Sequence, residues 1–223
     1  MGVDRELGWY RYLVHNRSVP GSLFTLLHLP FMLAFLSLVL WGTFTVRGVD
    51  HTVLLLSLAA VAAMLYGEHM LDDTTGVGKP WRTVFSDRTL TVGGIALYLI
   101  AIAVGAYASY RYSTLLPVAG VSLGILFCTL YGLEKWKFHQ VWFGALGMGA
   151  IATFSYLAQT VITGQAPDAA VALMLLGAGF AYSYVLLGLY EHTKQDGSTV
   201  IWRILGGQFV LSYILGLGIL WFR

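Results

Sequence analysis

Thr52-Val53-Leu54-Leu55-Leu56-Ser57-Leu58-Ala59-Ala60-Val61-Ala62-Ala63-Met64-Leu65-Tyr66-Gly67 is an uncharged apolar run, and it ends in Glu68-His69-Met70-Leu71-Asp72-Asp73. About 20 residues are needed to cross roughly 30 Å of hydrocarbon as a helix. The run reaches that length only by continuing into Glu68 to Leu71, which places acidic side chains on its last turn. Charges at membrane depth are costly to bury, so their presence marks a candidate site. The same pattern, Glu-His-x-x-x-Asp, returns as Glu191-His192-Thr193-Lys194-Gln195-Asp196, again where an apolar run ends.

Hydrophobic residues make up 57% of the 223 and charged residues 11%, with a mean hydropathy of +0.72. These values describe an integral membrane protein. Apolar stretches predict spans at about 18–46, 52–71, 89–110, 112–133, 138–163, 167–191 and 200–222. The expected fold is therefore all-α, a polytopic transmembrane bundle of about seven helices forming one domain over 1–223. The run beginning at Ser18 is too long for the apolar part of a signal peptide. Leu7 to Val14, with Trp9, Tyr10, Arg11 and Tyr12, reads as an interfacial segment. A net charge of +2 gives no reason to expect a nucleic-acid partner. The single cysteine, Cys128, can form neither an intrachain disulfide nor a multi-cysteine metal site.

With seven spans, Arg5, Arg11, Arg17, Lys79, Arg82, Arg88, Lys135, Lys137, Lys194 and Arg203 fall on one side of the membrane. Only Arg47, Arg111 and Arg223 fall on the other. Basic residues accumulate on the cytoplasmic side. The expected arrangement has a cytoplasmic N-terminus and both Glu-His-x-x-x-Asp motifs on the cytoplasmic face, where they can share a site.

Residues four apart on a helix lie on one face, so Glu68 stacks with Asp72, His69 with Asp73 and His192 with Asp196. Carboxylate oxygens suit Mg²⁺ or Mn²⁺, whereas imidazole shifts the preference toward Zn²⁺ or Fe. The candidate metal ligands are Glu68, His69, Asp72, Asp73, Glu191, His192 and Asp196. The loop from Thr74 to Arg88 adds Lys79, Arg82 and Arg88. Acids that hold metal beside bases that take up negative charge are what a departing diphosphate requires. For any single Lys or Arg, ordinary loop charge is the blander reading. Glycines at Gly120, Gly124, Gly144 and Gly147 are the usual small residues of membrane helix packing.

These motifs resemble those of the UbiA superfamily of intramembrane prenyltransferases. That family has Asn-Asp-x-x-Asp-x-x-x-Asp after its second helix and Asp-x-x-x-Asp after its sixth. Glu68-His69-Met70-Leu71-Asp72 is similar to the opening of the first, and His192-Thr193-Lys194-Gln195-Asp196 has the spacing of the second. Lys79-Pro80-Trp81-Arg82 through Arg88, and Tyr131-Gly132-Leu133-Glu134-Lys135-Trp136-Lys137, resemble its basic connecting segments. Glu68-His69 stands where the family has Asn-Asp, Gly76 replaces the third Asp, His192 replaces an Asp, and the family commonly has nine helices.

The resemblance implies a UbiA-like bundle transferring a prenyl group from a polyprenyl diphosphate to a lipophilic acceptor. Mg²⁺ is the leading cofactor, with Mn²⁺, Zn²⁺ or Fe admitted by His69 and His192. Asp72, Asp73, Asp196, Tyr131 and Lys135 would be catalytic, and Lys79, Arg82, Arg88, Lys135, Lys137 and Lys194 would hold diphosphate. His28, Tyr156 and Tyr190 would line the pocket, although packing or an interfacial belt accounts for any one of them as well. A second copy of the chain would cover a chamber that lacks two helices. Two readings from other classes stand beside this one. The first is a dinuclear-metal lipid hydrolase, lyase or oxidase on the same scaffold. The second is a non-catalytic protein that binds or transports an ion or lipid.

Overall fold

The computed structural model describes residues 18–75, 83–132 and 140–196, together with Leu211 and Ile214; the side chains of 30, 75 and 189–196 are outside that description. Seven helices and no strands occur among the described residues: α1 (Val19–Leu27), α2 (Leu29–Phe44), α3 (His51–Thr75), α4 (Asp87–Arg111), α5 (Leu116–Gly132), α6 (Val141–Ile162) and α7 (Ala169–Asp196). α3, α4, α6 and α7 are each long and apolar enough to cross a membrane. The chain is thus a multi-pass helical membrane protein. The seventh expected span, 200–222, apart from Leu211 and Ile214, and the segment Leu7 to Val14 lie outside the described residues.

Short polar side chains set most of the helix starts. Ser18 accepts from the Gly21 amide at 3.1 Å and Ser86 from the Thr89 amide at 3.2 Å. Asp50 Oδ1 accepts from Thr52 and Val53 amides, and Asp168 Oδ1 from those of Ala170 and Val171. Each satisfies donors that the first helical turn cannot pair internally.

The first apolar run, expected as one span, is a pair of helices bent by 43°. His28 sits at the break with φ 39° and ψ 54°, in the left-handed region. Pro30 follows and has no N–H, so the helix cannot continue its ladder through this point. The run expected at 112–133 forms only the 17-residue α5, about 25 Å long at 1.5 Å per residue.

α6 and α3 are the most enclosed spans and α4 and α7 the least. Leu99 and Ile100 on α4, and Leu173 and Met174 on α7, are more than half exposed, as expected of helices whose outer face meets lipid. α6 packs against α2, α5 and α7, and α3 against α4 and α5. Bare glycines let the backbones approach. A Cβ on Gly42 of α2 would strike the Ala152 carbonyl, and one on Gly149 of α6 would strike the Phe180 amide of α7.

At one end of the bundle Gln159 clamps Asp50, accepting from its amide at 3.0 Å and donating to its carbonyl at 2.9 Å. The Tyr112 hydroxyl donates to Asp50 Oδ2 at 3.2 Å, drawing in the end of α4. At the opposite end the C-termini of α3 and α5 meet. A Cβ on Gly132 would stand 2.9 Å from Asp72 Oδ1. Leu187 of α7 packs at Gly144 beside Tyr131, so the last turns of α7, through Asp196, lie at this same end.

Candidate functional site

α3 sorts its terminal ionisable residues onto two faces. Glu68 and Asp72, one turn apart, face α4 and α5. Glu68 is 5% exposed, and its Oε2 has no hydrogen-bond partner. Cys128 of α5 and Tyr98 of α4 lie within electrostatic reach of both carboxylates. Tyr98 also neighbours Thr129. Tyr131 is buried against Gly144, where an added Cβ would come within 2.9 Å of its ring.

His69 and Asp73 face the other way. His69 Nδ1–H donates to the Leu26 carbonyl at 2.9 Å, and its ring centroid lies 5.6 Å from those of both His28 and Phe31. In a continuous helix the Leu26 carbonyl would accept from residue 30, but Pro30 has no amide hydrogen. His69 supplies the missing donor, and the bond leaves Nε2 as the ring's acceptor nitrogen. Asp73 is fully buried and accepts from the Thr83 hydroxyl at 2.7 Å. The Val84 amide donates to Ser22 Oγ at 3.0 Å, so the residues leading into α4 are pinned to α1 and α3.

The face of α3 that carries Glu68 continues as the wall of an apolar groove. This groove encloses about 830 Å³, counting its open mouth, and runs between α3, α4, α5 and α6. On α3 it is lined by Val53, Ser57, Ala60 and Met64; one further turn along the same face is Glu68, and two turns on is Asp72. α5 behaves alike, passing from Gly120, Gly124 and Phe127 in the groove to Cys128 and Tyr131. On α4 the stripe runs from Ala108 and Gly105 back to Tyr98, and on α6 from Gly147 back to Gly144. Three helix faces, those of α3, α4 and α5, turn from apolar to polar at one level, and α6 closes that level with Gly144.

The other expected site residues are placed unevenly. Arg88 is exposed on the first turn of α4. Tyr156 is buried on α6, and its hydroxyl accepts from the Asp168 amide at 2.9 Å, away from the carboxylates. His28 forms the helix break. Lys79, Arg82, Lys135 and Lys137 lie outside the described residues, as do the side chains of Tyr190, Glu191, His192, Lys194 and Asp196. Among the described residues no group of three or more His, Cys, Asp or Glu is arranged to hold a metal ion. Sequence reasoning missed Tyr98 and Thr129. The signal for Tyr98 was its place on the Gly94, Tyr98, Ala101, Gly105 stripe of α4. No family model, curated protein or solved structure matches the chain.

Proposed function

We propose that the chain is an intramembrane transferase of UbiA type, moving a prenyl group from a polyprenyl diphosphate to a lipophilic acceptor at the cytoplasmic face. The observation that carries this reading is the shared change of three helix faces, on α3, α4 and α5, from an apolar groove to polar side chains around the Glu68 and Asp72 carboxylates. Such a site is shaped for an amphiphile with a long hydrocarbon chain and a head group bound through cations.

Glu68 and Asp72 suit a divalent metal in donor chemistry. An unpartnered carboxylate oxygen buried among helices is costly unless a proton or cation meets it. Further ligands would come from Glu191 and Asp196, which α7 brings to the same end. When bound, Mg²⁺ would neutralise the diphosphate oxygens and make them a better leaving group. The bond from prenyl C1 to oxygen breaks, its electron pair leaving with diphosphate. The acceptor then forms a bond to C1 and loses a proton. Tyr98 and Tyr131 present aromatic rings to the region where positive charge develops, and the apolar groove keeps water from that carbon. Lys135, Lys137, Lys79 and Arg82 would take up the departing charge.

Pyrophosphate release tests this reading. Membranes containing the protein, given a polyprenyl diphosphate, Mg²⁺ and a lipid extract as acceptor, should release pyrophosphate and form a prenylated lipid. Asp72→Ala and Asp196→Ala should each abolish both. Wild-type protein that releases none would end the reading.

One observation favours a second reading, a transition-metal enzyme. Metal-bound histidines commonly donate their other ring N–H to a backbone carbonyl, as His69 does to Leu26. Stoichiometric Zn or Fe in protein purified without added metal would select it.

A further inference from the structure

Building on that reading, we infer that the groove admits about three isoprene units of the substrate chain, with the Met64 level of α3 as its upper end and the Val53 level as its floor. Met64 and Val53 are eleven residues apart on one helix face, or about 16 Å. An extended chain advances about 1.2 Å per backbone bond, judging by the reach of an extended polypeptide. The groove therefore holds about thirteen bonds, which is roughly three isoprene units of four backbone bonds each.

Three features commit the groove to a hydrocarbon occupant. Its lining is apolar apart from Ser57 and Ser155. Its walls belong to membrane helices, so the medium at its mouth is lipid rather than water. Leu123 both lines the groove and is 42% exposed, which places the mouth on the outer surface of the bundle. At the upper end Met64 lies against Gly124, where an added Cβ would stand 2.6 Å from its sulfur. Met64 is one turn from Glu68, so a head group held at the carboxylates directs its chain past an unbranched, adaptable side chain. A chain longer than the groove must turn out through the mouth, where added units gain nothing over bulk lipid.

The test is equilibrium binding of radiolabelled prenyl diphosphates of one to nine isoprene units, with Mg²⁺, to the protein in lipid nanodiscs. Partition into empty nanodiscs is subtracted. Affinity should rise through about four units, one spanning the turn from Glu68 to Met64 and three in the groove, and level off at five and beyond. Ser57→Phe places a wedge about two thirds of the way down, and its curve should level off one unit earlier. Leu55→Phe, on the lipid-facing side, should follow wild type. If Ser57→Phe does not fold, Ser57→Leu is the smaller wedge that decides the same point. A wild-type curve that keeps rising past five units, or a folded wedge variant that tracks wild type, overturns the inference. Prenyl alcohols run in parallel separate it from the transfer reading. A break for alcohols with no gain from diphosphate sinks prenyl transfer alone, whereas diphosphate binding with no break sinks the groove assignment alone.

Discussion

His69 donates from Nδ1 to the carbonyl oxygen of Leu26 at 2.9 Å, across 43 residues of sequence. Leu26 is four residues before Pro30, so no backbone amide is available to it in the helical ladder. Water cannot reach this buried carbonyl to take the place of a donor, and leaving it unpaired would be expensive. The histidine that the motif places among the metal ligands thus has a structural task at the helix break.

His69→Ala should destabilise the protein by about 1–3 kcal/mol, the cost of a buried group left unpaired. In a Pro30→Ala background, which restores an amide hydrogen four residues after Leu26, the same substitution should cost less. Thermal unfolding of the four proteins in detergent measures the coupling. Equal losses in both backgrounds would separate His69 from the break.

Thr83→Val should lower stability by about 1.5–3 kcal/mol, because it removes a hydroxyl donor to the buried Asp73 carboxylate. If Asp73 serves chiefly to tether the segment after α3, Mg²⁺-dependent binding of a prenyl diphosphate should be retained. Unfolding and ligand titration of the same variant report the two effects separately.

Much of the fold was legible in the sequence because membrane spans are written in length and hydropathy. The cost of unpaired backbone in lipid leaves a helix as the only form for runs such as 89–110. The break at His28 was less visible. Pro30 lies near the beginning of a long apolar run, and nothing local says that a histidine 39 residues on will meet the freed carbonyl. The division of the first motif was partly legible. Helical spacing pairs Glu68 with Asp72 and His69 with Asp73, but which pair faces the groove depends on how α3 is rotated against α5. Tyr98 was hidden for the same reason, since a tyrosine in an apolar helix reads equally as packing.

Gln159→Leu should cost about 2–3 kcal/mol, since it strips partners from both the amide and the carbonyl of Asp50. Gln159→Glu should cost more, since it keeps the acceptor for the Asp50 amide but turns a buried carboxylate oxygen toward the Asp50 carbonyl. Midpoints of thermal unfolding for the two variants rank them, and the reverse order would contradict the clamp.

Gly149→Ala should weaken the α6–α7 contact by at least 1–3 kcal/mol, because the new methyl meets Phe180 backbone that cannot move aside. Gly177→Ala meets nothing within 4 Å and should be neutral or slightly stabilising, since alanine is the better helix former. Folded yield and unfolding midpoint compare the two.

The most direct test of the central claim is the thermal shift of the purified protein with a prenyl diphosphate of three isoprene units and Mg²⁺. A ligand at 100 times its Kd stabilises the folded state by about 2.7 kcal/mol, or roughly 5–10 °C for a chain of this size. The shift should require diphosphate and metal together, grow with concentration and vanish in Asp72→Ala. No shift with both present, or an equal shift in Asp72→Ala, would contradict a diphosphate site built on Glu68 and Asp72.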